Sequence, residues 1–272
     1  MAMTLHPKSA SRDCWIFYLA TSLAGANGRV RPKVDLLYDS ITALEGRLMH
    51  VRQFGTFGKQ FGLIKGGCEM VSQGFLDWQM TFLPEYGMRL TAEPIAATIS
   101  DALRKLLPRT VPIVTRYLFW PLNKEWTLYF DNGRLGTDAS PPSVLASLLH
   151  TDGIRISLAD HAVDRNSKHV LQYGATIFEY FENVTARRSV FVANDGGKWV
   201  FRQEGIAFPF EDESSYRVRQ VRDRFPKTLL LQYLQKLGAS LDGTETSTLE
   251  PGPGRLIVKA GRMPRNLKEF YE

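Results

Sequence analysis

Between residues 111 and 203 the chain repeats one pattern: short aromatic and β-branched runs broken by clusters of Asn, Asp, Gly and Pro. Such runs fit a pleated surface and resist helical packing, because branching at Cβ and bulky rings crowd the preceding turn. Residues 111–120, 126–130, 154–158, 173–181, 190–193 and 198–201 therefore read as strands. The strongest local signal is a hairpin, in which Asn194-Asp195-Gly196-Gly197 joins the last two runs. Trp126 and Trp199 belong to this region and are expected in its core.

Helical patterns flank the strand runs. Ile95, Ile99, Leu103 and Leu106 recur at helical spacing, so a helix is expected over 91–106 with Thr91 as its cap. A short helix is expected at 140–149, with Ser140 as cap, Pro141 at its first position, and Asp138 as a further capping residue. Residues 212–224 carry acids first and arginines later, as a helix dipole favours, and 226–237 reads as a helix closed by Gly238. Strand runs followed by helix runs indicate an α+β fold, a largely antiparallel sheet with flanking helices. The expected organisation is an N-terminal α/β part over 1–110, the sheet with its C-terminal helices over 111–238, and a loop and tail over 239–272. Within that tail, Leu256-Ile257-Val258 is one short apolar run.

The N-terminal part is less patterned. Lys8 and Arg12 precede the apolar run 14–20, and Ala24-Gly25-Ala26 resembles a cleavage site. Asp13 abuts that run and aromatics dominate it, so it reads as a buried strand over 15–21 and the protein as cytoplasmic. A secreted or periplasmic protein is the alternative if residues 1–26 form a signal. Gly58, Gly62 and Gly66 keep the spacing of a close-packed helix seam, but glycine costs a helix in water about 1 kcal/mol each. Extended segments with tight turns, their phenylalanines packed inward, fit 54–74 better. No stretch reaches the ~20 apolar residues of a spanning helix.

Composition narrows the chemistry. The 272 residues include 34 Lys and Arg against 28 Asp and Glu, a formal charge of +6, and 44% are apolar. That is globular usage, with length enough for a sizeable core. Cys14 and Cys68, the two cysteines, exclude a disulfide scaffold and a cysteine-built zinc site. The phosphate-binding G-x-x-x-x-G-K-[ST], a dinucleotide G-x-G-x-x-G, H-E-x-x-H and G-x-S-x-G are all absent. The stretch 131–138 has the outline of a calcium loop but puts glycine at the third ligand position and lacks the closing glutamate. Asp131-Asn132-Gly133 reads instead as a turn. No metal site and no cofactor is assigned.

Two groups remain as candidate sites. Asp160, His161 and Asp164 lie in the loop after the 154–158 strand, between His150 and His169, and a His–carboxylate pair can act as a general base. Arg217 and Arg224, seven residues apart, would share one face of the expected basic helix over 212–227, opposite Val218, Val221 and Phe225.

The segments Trp126-Thr127-Leu128-Tyr129-Phe130-Asp131-Asn132-Gly133, Gly136-Thr137-Asp138, Ala193-Asn194-Asp195-Gly196-Gly197-Lys198-Trp199 and Arg222-Asp223-Arg224-Phe225 together resemble an uncharacterised family of bacterial proteins. The resemblance spans about residues 113–238 and transfers no catalytic residue. It implies interaction proteins, toxin-neutralising ones among them. The expected function is a non-enzymatic protein-binding module, an immunity-type inhibitor of a bacterial toxin, that prefers an acidic partner surface. The alternatives are an enzyme with a dispersed hydrolase-like site around His161, and nucleic-acid binding through the basic helix.

Overall fold

Strand β1 (Gln60–Lys65) carries Leu63 and Ile64 side by side, and neither is exposed. Adjacent strand residues point to opposite faces, so a strand with both buried must be covered on both sides. β1 accordingly lies in the middle of a nine-stranded sheet. The computed structural model describes residues 54–167, 169–183, 185–241 and 253–271. In chain order the elements after β1 are α1 (Cys68–Met80), β2 (Met88–Ala96), α2 (Ile99–Arg104), β3 (Arg109–Val111), β4 (Arg116–Pro121) and β5 (Trp126–Asp131). Then come α3 (Ser140–Leu148), β6 (Asp152–Ala159), β7 (Ala162–Val163), β8 (Val170–Gln172), β9 (Ala175–Glu182), β10 (Thr185–Asn194) and β11 (Trp199–Gly205). The last are α4 (Lys227–Lys236), β12 (Pro253–Gly261) and β13 (Lys268–Phe270).

The sheet runs β11-β10-β9-β6-β1-β5-β4-β12-β2, and all its neighbouring pairs are antiparallel. With its packed helices it is the expected α+β fold. Strands from 1–110, 111–238 and 239–272 all enter this one sheet: β1 lies between β6 and β5, and β12 between β4 and β2.

Two cores flank the sheet. The larger joins Leu63, Trp120, Trp126, Leu128 and Phe130 to Ile99 and Leu103 of α2 and to Leu230, Tyr233 and Leu234 of α4. The smaller joins Ile64, Phe119, Tyr129 and Ile257 to Val71 and Phe75 of α1 and Leu145 of α3. Gly62 and Gly153 let α3 approach: a Cβ on Gly62 would stand 2.6 Å from Pro142 Cγ, and one on Gly153 2.2 Å from the Pro142 carbonyl. Gly62 thus serves a strand–helix contact.

The hairpin forms as read, with Asn194 opposite Trp199. Phe54 and Phe61 are buried and Phe57 packs against the same core. Trp126 is buried, whereas Trp199 is half-buried.

Several expectations need correction. The helix over 91–106 is an edge strand followed by a short helix. Ile95 is the buried residue of β2, and Thr98 rather than Thr91 caps α2, its Oγ1 accepting from Asp101 N–H at 3.2 Å. Pro94 lacks an N–H, which an edge strand tolerates and a central one does not. Residues 68–74, read as extended, belong to α1 (Cys68–Met80).

The single strand over 111–120 is broken into β3 and β4. Asn132 fills the break: unexposed, its Oδ1 accepts from Thr115 and Arg116 N–H at 2.9 and 3.0 Å, and its Nδ2 donates to the Pro108 carbonyl at 2.6 Å. Neither Asn132 nor Gly133 has a positive φ, so this is a buried polar splice rather than a turn. At α3, Ser140 is inside the helix, and Asp138 Oδ1 accepts its N–H at 2.9 Å.

The basic helix is not formed either. Residues 212–224 form two 3-10 turns, Ser215–Arg217 and Val221–Asp223, separated by extended backbone at Val218 (ψ 140°) and Gln220 (ψ 114°). Residues 1–26, with Cys14 and the strand expected over 15–21, lie outside the described residues.

Candidate functional site

The segment from Ile206 to Phe225 returns from the end of β11 to lie over the larger core. A wholly buried ion pair fastens it. The Arg188 and Glu211 side chains are 1% and 0% exposed, with Nη2 to Oε2 at 2.6 Å and Nε to Oε1 at 2.8 Å. An unpaired buried charge is costly, so every remaining valence here has a partner. Arg188 also donates to Gln203 Oε1 at 2.7 Å and to the Gly205 carbonyl at 3.0 Å. Glu211 accepts from Tyr216 Oη at 2.7 Å and from Phe208 N–H at 3.0 Å. Tyr216 and Tyr233 hydroxyls meet at 2.8 Å, and the Tyr233 hydroxyl accepts from Asp212 N–H at 3.0 Å. Burial raises both phenols above their ordinary range, so they remain neutral donors.

These anchors decide what the arginines do. Tyr216 lies 5.2 Å ring to ring from Phe201 of β11, and Phe225 is unexposed beside Tyr233. Tyr216 and Phe225 are nine positions apart, and burying both overrides the helical pattern between them. Asp212 reinforces the first 3-10 turn by accepting from the Ser214 and Ser215 hydroxyls at 2.5 and 2.6 Å; the Ser214 hydroxyl foremost holds its carboxyl below the usual range.

Arg217 and Arg224 therefore share no helical face. Arg224 is half-buried, donates to the Val218 carbonyl at 2.9 Å and lies 5.8 Å from the Phe201 ring centroid. Val218 is 42% exposed, so it does not belong to the buried stripe expected of it. Arg217 and Arg219 are exposed and have no ion-pair partner among the described residues. Arg219 was not singled out by sequence; its spacing from Arg217 signals a shared side only once the backbone is known to be extended there.

The loop histidine group is dispersed. The Asp160 carboxylate pairs with Lys227 Nζ at 2.6 Å. Asp164 Oδ1 accepts from Asn166 N–H at 2.9 Å and from Ser167 N–H and Oγ at 2.6 and 2.8 Å; the Ser167 N–H foremost holds its carboxyl low. His161 Nδ1 faces the Gly174 N–H at 3.4 Å, and its ring meets Trp199 edge to face at 5.7 Å. No hydrogen bond joins His161 to either aspartate. Among the described residues no group of three His, Cys, Asp or Glu side chains could hold a metal.

Burial also perturbs the acidity of Asp131, Lys259 and Cys68. Asp131, read as a turn former, accepts from Tyr129 Oη at 2.8 Å, Gly133 N–H at 2.9 Å and Asp138 N–H at 2.7 Å. Burial nonetheless pushes its carboxyl up to about 6, against those hydrogen bonds. Lys259, over the Tyr117 ring, is lowered by burial, with Asp138 and Asp131 opposing. This group braces the 131–140 loop. Burial pushes the Cys68 thiol up to about 12, and its Sγ donates to the Phe119 carbonyl at 3.4 Å. A thiol so placed is a core residue, not a nucleophile.

Comparison with family models, curated proteins and solved structures returns no match to this chain.

Proposed function

We propose that the chain is a non-enzymatic protein-binding module that receives an acidic partner on Arg217 and Arg219, with immunity-type inhibition of a bacterial toxin in the cytoplasm as its specific form. One observation carries this reading: two exposed cations, without an ion-pair partner among the described residues, on a backbone pinned at both ends by buried groups. A pinned backbone needs less ordering on binding than a free loop, so more of the interaction free energy appears as affinity. Unpaired guanidinium groups steer and orient an acidic surface, and they bind carboxylates through two parallel hydrogen bonds.

Affinity capture from native lysate tests the reading, using the full chain and its Arg217→Glu/Arg219→Glu variant as baits. An acidic protein recovered by the first and lost with the second is expected, while melting temperatures agree because both positions are exposed. Equal recovery by both baits removes this surface. Nuclease-sensitive recovery transfers it to nucleic acid, where phosphates would take the place of carboxylates.

A further inference from the structure

β11 is the outermost strand on its side of the sheet, paired with β10 alone. Among the described residues, no backbone hydrogen bond outside that pairing reaches residues 199–205. The Asp195 N–H donates to the Lys198 carbonyl where β10 turns into β11, so along the ladder that follows the even residues of β11 face β10. Its odd residues, Phe201, Gln203 and Gly205, turn their N–H groups outward, and such a row is a template for another strand. The opposite edge is blunted. There the Gly87 carbonyl accepts from Arg262 N–H, so the odd residues of β2 face β12 and Pro94 turns outward a nitrogen that carries no hydrogen. One usable edge per chain permits a closed pair and no filament.

Side chains select the occupant. Phe201 packs on the larger core, so Arg202 and Glu204 lie on the other sheet face, away from Tyr216 and Phe225. Both are exposed, and neither has an ion-pair partner among the described residues. Two identical antiparallel strands meet about a two-fold axis. An axis at residue 202 or 204 sets Arg202 or Glu204 against itself, and one at Phe201 sets Arg202 against Val200. An axis at Gln203 sets Arg202 against Glu204 of the second copy, and the reverse, at positions where cross-strand side chains stand closest. It also falls in the stretch 202–206, every residue of which is exposed. The Gln203 N–H then donates to the Gln203 carbonyl of the second copy, and the Gly205 N–H to its Phe201 carbonyl. Ile206, 85% exposed, comes level with Val200 of the second copy.

The surrounding charges agree. Arg155, Glu179, Ser189 and Glu204 are successive cross-strand neighbours, a row that ends on a carboxylate and that Arg202 of a second copy would extend. The segment over the opposite face carries three acids, Asp212, Glu213 and Asp223, against four arginines at 217–224, so it adds no strong field of either sign. The +6 charge of the whole chain is screened beyond about 10 Å at 0.1 M salt. We infer that β11 pairs antiparallel with β11 of a second copy about a two-fold axis at Gln203, continuing the sheet from one chain into the other. This interface uses neither Arg217 nor Arg219 and stands apart from the protein-binding reading above.

Sedimentation velocity on the full chain, from about 1 to about 500 µM, tests it, and a monomer–dimer equilibrium is expected. Arg202→Glu and Glu204→Arg each set like charges opposite one another and should weaken dimerisation at least about tenfold. Mixed in equal amounts, the two variants restore both opposite-charge pairs between unlike chains, so a heterodimer of wild-type affinity should form. Misfolding cannot imitate that recovery, and melting temperatures should agree because both positions are exposed. Amide exchange reads the same geometry: the Gln203 and Gly205 amides should slow as concentration rises, while those of Arg202 and Glu204, already bonded to β10, should not change. A monomer at every concentration, a dimer indifferent to either charge reversal, or no heterodimer from the mixture overturns the inference.

Discussion

Asp131 illustrates how one side chain can carry two incompatible demands. Its carboxylate holds the Gly133 and Asp138 amides, yet it is 2% exposed and burial raises its pKa from 3.8 to about 6. Between those values the native state keeps the proton and the unfolded chain releases it. Stability from this group is therefore greatest at the acid end of that window and falls as pH rises through it. The difference corresponds to about 3 kcal/mol at most. Asp131→Asn cannot titrate, so stability measured by denaturation from pH 4 to 7 should fall less steeply in the variant than in the wild type. Identical slopes would show that the carboxyl titrates near its ordinary value. Asn132, its neighbour, holds two amides and a carbonyl with one side chain, which only a donor–acceptor amide of that length can do.

Elements formed where local pattern and tertiary burial agreed. α4 has a run of buried leucines, a preceding proline and Gly238 at φ +75° after its end, and it was read within one residue of its observed limits. The 212–224 segment failed because its strongest partners lie elsewhere in the chain: Glu211 is bound by Arg188, 23 residues earlier, and Tyr216 by Tyr233, 17 later. No periodicity reports such pairs. The dependence is testable. Arg188→Met leaves the Glu211 carboxylate buried and unpaired, and should cost about 3–5 kcal/mol in chemical denaturation. Arg188→Met/Glu211→Leu removes both charges and should recover a large part of that loss. A double variant no more stable than the single one would show that the hydrogen bonds of the network, rather than the stranded charge, dominate.

At the scale of the molecule, strand order binds distant stretches together. β1 separates β6 from β5, and β12 separates β4 from β2, so residues 111–238 alone would leave β5 and β6 without the strand between them. Leu63 and Ile64, each unexposed on its own face, would be missing from both cores. A 111–238 fragment is therefore expected to lack a cooperative unfolding transition, whereas the full chain shows one. A cooperative melt of the fragment with native-like tertiary signals would establish that stretch as a self-sufficient domain.

Class and element type were legible because they depend on short-range chemistry: branching at Cβ, turn residues, and the missing N–H of proline. The six β runs of 111–203, the hairpin at 194–197 and the last helix all rest on residues within a few positions of one another. Strand order, the splice at Asn132 and the paths of residues 91–106 and 212–224 depend on contacts across tens to hundreds of positions. Ile95, Ile99, Leu103 and Leu106 keep helical spacing and are all buried, yet they do not share one helix, because an apolar spacing alone does not distinguish a helix from a strand that leads into one. The arginines follow the same division. Sequence located the basic segment, and only the fold, by burying Tyr216 and Phe225 around it, determined that Arg217 and Arg219 face solvent while Arg224 packs on Phe201.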